Sequence, residues 1–407
     1  MTALQLLAWI ATALGIQLVV GGAVAAWRSR GAGSTVLAQP TAAPSADPSA
    51  AWPGWREFRV VRKVLEDPDG TQCSFYLEPS DGAALPAFRP GQFLTFSLAL
   101  PGRKITRCYS LSDRPHPAHY RITVKRVPSP AGHPEWPPGE SSSHFHDQVQ
   151  VGTRLQVKAP SGRFHIDQEA GVPAVLIGGG IGITPMISML NWCLAEQPGR
   201  SIHLYHGLRH SGEHAFKAAV EALAATHPQL HLQVAYSRPR AADRAGLDFQ
   251  HAGHVDIDLL RRTLPHGRHL FYICGPASMM DSLVPALQAW GVPPQDIRFE
   301  AFGPATARLA APMPGRAEAP HAEPVEIHFR RSGRTLVWDG QDANLLDFAE
   351  RHGVEVDSGC RSGGCGSCET AVVSGAVDYA HTPDHALAPA RCLLCVGRPA
   401  GPLVLEA

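Results

Sequence analysis

The sequence lacks an excess of charge of either sign. Its 407 residues contain 36 basic and 36 acidic side chains, so the formal net charge is zero. This balance argues against a nucleic-acid binder that relies on a basic surface. Hydrophobic residues make up 44% of the chain, which excludes wholesale disorder and allows a packed core. At about 150 residues per domain, the length predicts two or three domains.

Cysteine is scarce over most of the chain. Of nine cysteines, five lie in the C-terminal segment: Cys360, Cys365, Cys368, Cys392 and Cys395. An odd total so unevenly spread does not fit a disulfide framework, and it predicts a reduced compartment with a local metal site. The sequence also lacks an H-E-x-x-H pair and a nucleophile elbow, so its histidines and serines indicate neither a zinc protease nor a Ser-His-Asp enzyme.

Charged residues are also absent from Ala3 to Trp27. As a helix, this run would extend about 37 Å, enough to cross a hydrocarbon core of about 30 Å with some tilt. Arg28 and Arg30 follow it, so the positive-inside tendency predicts a single-pass anchor, residues 1–30, with everything after it in the cytoplasm. The alternatives are a cleaved signal peptide, which lacks its basic n-region here, and a mis-assigned start codon.

Two spacers rich in alanine and proline divide the rest of the chain. We place the first at residues 31–54 and the second at 304–323. Such segments have little to bury and are expected to be extended tethers. Between them, residues 55–168 show short alternating apolar runs punctuated by glycine and proline, which predicts an antiparallel barrel or sandwich. Residues 169–303 alternate strands with helices, which predicts a parallel α/β sheet with a nucleotide site at the carboxyl ends of its strands.

A glycine-rich turn follows the buried-strand run that ends at Ile177. It runs Gly178-Gly179-Gly180-Ile181-Gly182-Ile183-Thr184-Pro185 and leads into an apolar helix. Glycines let a backbone approach a pyrophosphate, and a helix N-terminus offers free N–H groups to it. The turn departs from the usual G-x-G-x-x-G pattern, so a tight structural turn is an equal reading of this segment alone.

Five motifs, in order, resemble those of the ferredoxin–NADP reductase superfamily across residues 55–303. They are Arg107-Cys108-Tyr109-Ser110 (R-x-Y-S), Gly139-Glu140-Ser141-Ser142 (G-x-x-S), the glycine turn Gly179–Pro185, Cys274-Gly275-Pro276 (C-G-P) and Glu300-Ala301-Phe302-Gly303. The resemblance implies a flavin-binding barrel at 55–168 and an NAD(P)-binding domain at 169–303.

The resemblance also implies a role for each motif residue. Arg107 would pair with a flavin phosphate, Tyr109 would stack on the flavin, and Ser110 would hydrogen-bond its N5 atom. The other implied contacts are as follows: Gly139 and Ser142 on the pyrophosphate; Gly179, Gly180, Gly182, Thr184, Cys274, Gly275 and Pro276 around the nicotinamide; and Ser237 and Arg238 at the adenine ribose. Phe302, in the segment that ends the domain, would also bind a cofactor. Ser110 and Cys274 would be the residues nearest the chemistry.

Two cofactor choices stay open at this stage. The G-x-x-S helix start resembles FAD-type members, so FAD is expected, with FMN as the alternative. Ser237, Arg238 and Arg240 follow the strand ending at Tyr236, and they suit a 2′-phosphate, whereas an acidic residue would favour NADH. This slightly favours NADPH, and the nucleotide is written NAD(P)H.

The C-terminal cysteines have the spacing of a plant-type [2Fe–2S] site. Cys360, Cys365 and Cys368 form C-x4-C-x2-C, and Cys395 follows. Cys392 is a rival fourth ligand, but Cys395 lies in a segment that resembles the family's terminal C-x-x-x-P. The alternative is a zinc site made from two C-x2-C pairs, which leaves Cys360 unexplained. Residues 324–407 resemble the β-grasp fold of plant-type ferredoxins.

The order flavin module, nucleotide module and ferredoxin module resembles electron-transfer reductases. The resemblance implies an acceptor protein such as an oxygenase, a membrane desaturase or hydroxylase, or a hybrid-cluster protein. We expect the second spacer to let the cluster domain move between flavin and acceptor, so that shortening it slows flavin-to-cluster transfer. A self-contained flavin-dependent oxidoreductase of a small molecule and a non-catalytic redox-sensing adaptor are the alternatives.

Overall fold

The computed structural model describes residues 52–130, 132–167, 171–301, 325–361, 363–379, 383, 385 and 387–407. The chain divides into two units, Met1–Ser45 and Ala46–Ala407, and every described residue belongs to the second. The expected membrane helix, most of the first spacer, the second spacer and Phe302 lie outside the described residues. Within the described ranges, no helix combines the length and the apolar character needed to cross a bilayer.

The first domain is a six-stranded antiparallel barrel with one helix. Its elements are β1 (Arg56–Leu65), β2 (Gln72–Pro79), β3 (Phe93–Leu100), β4 (Arg103–Ser110), β5 (Tyr120–Lys125), α1 (Glu140–Asp147) and β6 (Arg154–Ser161). The strand order is β4-β3-β6-β1-β2-β5, and a bridge between Leu111 and Ile122 joins the two edge strands. Alternate strand residues fill one apolar core, as the period of two requires. This confirms the barrel.

The second domain is a doubly wound α/β sheet. Its elements are β7 (Ala174–Gly179), α2 (Ile183–Glu196), β8 (Ile202–Leu208), α3 (Lys217–Thr226), β9 (Leu230–Tyr236), β10 (His251–Ala252), α4 (Ile257–Thr263), β11 (Leu270–Gly275), α5 (Ala277–Ala289) and β12 (Ile297–Ala301). All strands are parallel, in the order β10-β9-β8-β7-β11-β12. The order reverses at β7, so the crevice beyond its carboxyl end is where such sheets bind ligands.

The third domain is a small mixed sheet with one helix. Its elements are β13 (Val325–Phe329), β14 (Arg334–Trp338), α6 (Leu345–Arg351), β15 (Glu369–Ser374), β16 (Val377–Tyr379), β17 (Arg391–Leu393), β18 (Gly397–Pro399) and β19 (Leu403–Leu405). The main sheet runs β14-β13-β19-β15-β17, with β13 and β19 parallel. The Asn344 side chain caps α6 by accepting the Asp347 N–H at 2.9 Å. The segment that contains Cys360, Cys365 and Cys368 lies between α6 and β15.

Candidate functional site

The R-x-Y-S motif occupies the last residues of β4. Arg107 is exposed, and its guanidinium donates to the carbonyl of Thr106 at 2.7 Å, which leaves donors free for a phosphate. The Tyr109 ring packs edge-on against Phe145, with centroids 4.9 Å apart. Burial raises the pKa of Tyr109 to about 12, so its hydroxyl stays neutral. Ser110 is buried at the end of the strand.

The G-x-x-S motif forms the start of α1. Gly139 is the N-terminal cap, and a Cβ there would lie 2.9 Å from both Ser142 Oγ and Val127 Cβ. Ser142 Oγ accepts the Val127 N–H at 3.1 Å and donates to the Gly139 carbonyl at 2.8 Å. Ser141 shares a 2.6 Å hydrogen bond with the Tyr109 hydroxyl. The structure therefore brings the two barrel motifs together, with the Ser142 hydroxyl engaged locally and the first helical N–H groups left for a pyrophosphate.

The glycine turn packs against the C-G-P loop at the carboxyl ends of β7 and β11. A Cβ on Gly182 would lie 2.1 Å from the Cys274 carbonyl, and a Cβ on Gly179 would lie 2.9 Å from Pro276 Cδ, so both approaches require glycine. Gly180 has a φ of +54° and an open surface where its Cβ would stand. Thr184 Oγ1 donates to the Ile181 carbonyl at 3.0 Å. These contacts leave a glycine-lined cradle that suits the close approach of a dinucleotide.

Two residues at this crevice were not among the predicted site residues. His206 on β8 is buried, and its Nε2 donates to the Gly180 carbonyl at 3.2 Å, which holds the glycine turn in place. Burial lowers the pKa of His206 to about 4. Glu300 pairs in register with Cys274, and its Oε2 is buried without a hydrogen-bond partner. Burial, followed by the nearby Cys360 thiol, raises the pKa of Glu300 to about 8. The E-A-F-G motif contained the signal for Glu300, and no pattern indicated His206.

The residues expected at the adenine ribose follow β9. Ser237 is half-buried and Arg238 is exposed. Arg240, by contrast, forms an ion pair with Asp69 of the barrel, with its two donors 3.0 and 2.6 Å from the carboxylate. Asp243 accepts the backbone N–H of Arg240 at 2.8 Å. Because Arg240 is already engaged by Asp69, its side chain gives less support to NADPH than its position in the sequence suggested.

The four cysteines expected to bind the cluster lie together as two linked pairs. The Cys360 N–H donates to Cys365 Sγ at 3.2 Å, and the Cys365 N–H donates back to Cys360 Sγ at 3.3 Å. The Cys395 N–H donates to Cys368 Sγ at 3.4 Å. Hydrogen bonding with Cys395 lowers the pKa of Cys368, while contacts with Cys360 and Cys368 raise the pKa of Cys395. Backbone N–H groups therefore point at the sulfurs of Cys360, Cys365 and Cys368, an arrangement that suits the thiolates of a two-iron cluster.

Cys392 lies apart from this set. It is on β17, opposite Thr370, and is buried in the apolar core of the third domain. Burial raises the pKa of Cys392 to about 12, which disfavours the thiolate that metal binding needs. Across the described ranges, no three or more His, Cys, Asp or Glu side chains are arranged so that they could hold a metal ion as they stand. The placement of Cys360, Cys365, Cys368 and Cys395 as the ligands remains a prediction.

The cysteine-rich segment rests on the barrel. Residues 360–368, here called the cluster loop, contact β6 through two hydrogen bonds, from Lys158 Nζ to the Cys365 carbonyl at 2.8 Å and from Ser161 Oγ to the Gly364 carbonyl at 3.0 Å. Cys108, on the flavin-motif strand β4, raises the pKa of the Cys365 thiol. Because β6 pairs with β3 and β3 pairs with β4, the cluster loop on β6 lies two strands from the expected flavin contacts.

Three family models match successive parts of the chain. The "Oxidoreductase FAD-binding domain" covers residues 58–166, the "Oxidoreductase NAD-binding domain" covers 176–284, and the "2Fe-2S iron-sulfur cluster binding domain" covers 327–400. The chain therefore has domains for FAD, for NAD and for a [2Fe–2S] cluster. This agrees with the three cofactors expected from the sequence.

Curated relatives match 64% of this chain. A flavohemoprotein of Chromobacterium violaceum is 43% identical over 265 residues, which is 64% of this chain and 63% of that protein. A flavohemoprotein of Bordetella pertussis is 40% identical over 264 residues, or 64% of each. The chain thus spans less than two thirds of the length of these relatives.

Solved structures extend the similarity to the third domain. The FAD/NAD-binding domain of a nitric oxide dioxygenase from Vibrio cholerae is 31% identical, with a TM-score of 0.54, and is matched over 100% of its length and 62% of this chain. Phthalate dioxygenase reductase is 27% identical, with a TM-score of 0.51, over 87% of this chain and 98% of that one. That reductase is a modular structure for electron transfer from pyridine nucleotides to [2Fe–2S].

Proposed function

Because the chain belongs to the ferredoxin–NADP reductase superfamily and has a C-terminal [2Fe–2S] ferredoxin domain, we propose that it delivers electrons from NAD(P)H to a separate acceptor protein. The chain is an NAD(P)H-dependent flavoprotein oxidoreductase. What we propose is that its electrons go to a separate acceptor protein. The acceptor classes we favour are oxygenases, membrane desaturases or hydroxylases, and hybrid-cluster proteins. Similarity to phthalate dioxygenase reductase over 87% of this chain supports an oxygenase among them.

The residues of this chain bind and orient the three groups. A flavin accepts a hydride and releases electrons singly, and an iron–sulfur cluster carries them one at a time. Arg107 would pair with the flavin phosphate, and the N-terminus of α1 would offer N–H groups to the pyrophosphate. The glycine turn, held by His206, would admit the nicotinamide end of the nucleotide. Glu300, with its raised pKa, holds a proton at neutral pH beside Cys274.

One observation carries the proposal: the cluster loop rests on the barrel that contains the flavin motif. Lys158 and Ser161 of β6 donate to the carbonyl groups of Cys365 and Gly364 at 2.8 and 3.0 Å, and β3 joins β6 to the flavin-motif strand β4. Electron transfer between a flavin and a cluster needs the two to be close. A chain that used its flavin only on a small molecule would gain nothing from placing the cluster loop here.

An anaerobic titration of the purified protein tests this proposal. NADH and NADPH are each added in steps while the flavin and iron–sulfur absorbance bands are followed, and the reduced sample is then examined by electron paramagnetic resonance. We expect both bands to bleach, a rhombic signal to appear, and cytochrome c to be reduced rapidly with slow direct use of oxygen. Flavin that is reduced while the cluster stays oxidised would contradict the proposal and favour a self-contained flavin oxidoreductase.

We also propose that residues 3–27 anchor the protein to a membrane, with the three domains on the cytoplasmic side. The charge-free run and the arginines behind it support this. The test replaces Leu18 and Val20 with lysine, because each lysine at a bilayer centre costs about 2.5–3.5 kcal/mol. The double variant is expected to move from the membrane pellet to the supernatant. A wild-type chain that is already in the supernatant would refute the anchor.

A further inference from the structure

The cluster loop is held on the barrel through its backbone. Lys158 Nζ donates to the carbonyl of Cys365 at 2.8 Å, and Ser161 Oγ donates to the carbonyl of Gly364 at 3.0 Å. Both donors come from β6, and both acceptors are main-chain atoms of the loop that contains three of the four expected ligands. Hydrogen bonds to carbonyl groups fix the path of the loop whatever its side chains do.

The loop packs closely on the barrel at Gly364. A Cβ on Gly364 would lie 3.1 Å from Ser161 Oγ and 3.3 Å from Phe93 Cζ. Both distances are shorter than ordinary van der Waals contact, so a side chain at this position would require these two neighbours to shift by a few tenths of an ångström. The Phe93 ring is itself held closely, since a Cβ on Gly162 would lie 2.8 Å from it. The contact therefore depends on shape as well as on hydrogen bonds.

Strand register connects this contact to the flavin motif. Thr95 on β3 lies opposite Cys108 on one side and opposite Lys158 on the other. Directly opposed residues of antiparallel strands project to the same face, so these three side chains form one row across β4, β3 and β6. Thr95 Oγ1 is 3.4 Å from Cys108 Sγ. The Lys158 end of the row holds the backbone carbonyl of Cys365 by a hydrogen bond.

We propose that this row, Lys158, Thr95 and Cys108, is a docking seat that fixes the expected ligand Cys365 against the flavin strand, with Lys158 as its positioning residue. The seat rests on the proposed function, since it sets the distance over which an electron would pass from flavin to cluster. Lys158 acts through the backbone of Cys365. Its ammonium would also favour the negative charge that a bound cluster gains on reduction.

The test compares Lys158→Met with Lys104→Met in the full-length protein that contains both cofactors. The two lysines lie near the same ring, with Nζ atoms 5.1 and 5.8 Å from the Trp55 centroid, but in the described residues Lys104 donates no hydrogen bond to the cluster loop. Stopped-flow absorbance after mixing with NADH separates flavin reduction from cluster reduction. Hydrogen–deuterium exchange of the peptide spanning residues 359–369 reports docking without reference to activity.

We expect Lys158→Met to slow flavin-to-cluster transfer by roughly tenfold, the scale for loss of a hydrogen bond from a charged donor. The rate of flavin reduction and the iron content stay at the wild-type value, exchange in the 359–369 peptide rises, and the cluster potential becomes more negative. Lys158→Arg, which keeps a cationic donor, restores most of the transfer rate. Lys104→Met behaves as wild type in all five measurements.

Two results would overturn the seat. One is a Lys158→Met protein with unchanged transfer and exchange, and the other is an equal loss in both lysine variants. Should Lys158→Met fail to fold, Ser161→Ala removes the second donor and is expected to raise exchange in the same peptide, whereas unchanged exchange counts against the seat. Failure of the proposed function is distinct, because the wild-type cluster would then not be reduced by NADH at all.

Discussion

At the scale of single residues, two neighbouring cysteines have different environments. Cys395 contacts Cys360 and Cys368, whereas Cys392 is buried in an apolar core on β17. We predict that Cys395→Ser abolishes the rhombic signal and lowers cytochrome c reduction at least about tenfold, because a [2Fe–2S] cluster needs four cysteines. Flavin reduction by NADH is retained.

Cys392→Ser is the matched control for that variant. Burying a hydroxyl in place of a thiol costs about 1–3 kcal/mol of folding free energy, but it leaves the ligand set intact. Its signal and cytochrome c activity are therefore expected at the wild-type level per folded protein. Retention of the cluster in Cys395→Ser, with loss in Cys392→Ser, would reverse the ligand assignment.

The choice of nucleotide also depends on single side chains. Asp69 engages the Arg240 guanidinium, which lowers the pKa of Asp69 and ties the arginine to the barrel. We predict that Asp69→Asn releases Arg240 toward a 2′-phosphate and lowers the KM for NADPH relative to NADH by a few-fold, the scale of an exposed ion pair. Steady-state kinetics with both nucleotides measure the ratio. Glu78→Gln, which removes the 4.0 Å pair with Arg59 elsewhere on the barrel, is expected to leave it unchanged.

At the scale of elements, alternating apolar residues and short runs of apolar residues were sufficient to predict most strands from the sequence. The sequence pattern predicts β9 with the bounds that the structure has, Leu230–Tyr236, because apolar residues alternate with His231 and Gln233 and then run together at its end. It does not predict β4, Arg103–Ser110, whose residues are mostly polar and only partly buried, so neither side of the strand shows a continuous apolar stripe. α4, Ile257–Thr263, was missed because only two of its residues, Leu259 and Leu260, are buried, which leaves no apolar period to recognise.

The side-chain contacts that join one element to another could not be predicted from the sequence either. The motifs placed Ser142 at the right helix start, but its hydroxyl is engaged by Val127 and Gly139. His206 holds the glycine turn from the neighbouring strand, a contact that depends on the sheet order. No spacing rule predicts it, because the partner residue is 26 positions away.

The link between β8 and the glycine turn predicts a pH dependence of stability. Burial lowers the pKa of His206 from 6.5 to about 4. Between those values the unfolded chain binds more protons than the folded one, so the free energy of unfolding falls as the pH is lowered from 6.5 toward 4. The His206 contribution to this loss is up to about 1.4 kcal/mol per pH unit. His206→Asn keeps an N–H donor for Gly180 but does not titrate.

Urea unfolding at pH 7, 6 and 5 checks this prediction. We expect the wild type to lose stability faster than His206→Asn below pH 6.5, with the difference growing toward pH 5. His203, whose pKa burial also lowers, continues to titrate in both proteins and leaves a shared slope. The pKa of His214 is lowered by burial and then by His206, so the variant relaxes that shift and the His214 contribution adds to the same difference. His116→Asn, at an exposed position, serves as the control and should follow the wild type. Parallel curves for wild type and His206→Asn would refute the assignment.

At the scale of the whole molecule, the motifs predicted the order of the three domains. They did not predict the contact between the first domain and the third. The family motifs locate the flavin strand and the cysteines separately. Lys158 and Ser161 carry no motif, and Gly364 reads from the sequence as one more glycine of a cluster loop. Only the fold shows that the third domain rests on the first through these residues.

This contact changes what shortening the second spacer should do. If the cluster domain has to travel to the flavin, removing six residues between 306 and 319 slows flavin-to-cluster transfer, as the sequence alone suggested. If the seat already holds the cluster loop on the barrel, that step keeps its rate, and the loss falls on delivery to the acceptor. We expect the second pattern, with flavin-to-cluster transfer unchanged and cytochrome c reduction slowed several-fold.

Stopped-flow reduction by NADH and steady-state cytochrome c reduction, measured on the same preparation, separate the two steps. A control variant that replaces the six residues with six others of the same alanine and proline content keeps both the length and the stiffness, so it should match the wild type in both assays, since composition sets the reach of a linker. Adding Lys158→Met to the shortened chain then tests the seat directly. With the seat gone, flavin-to-cluster transfer depends on the spacer, so the double variant must be slower at that step than either single one.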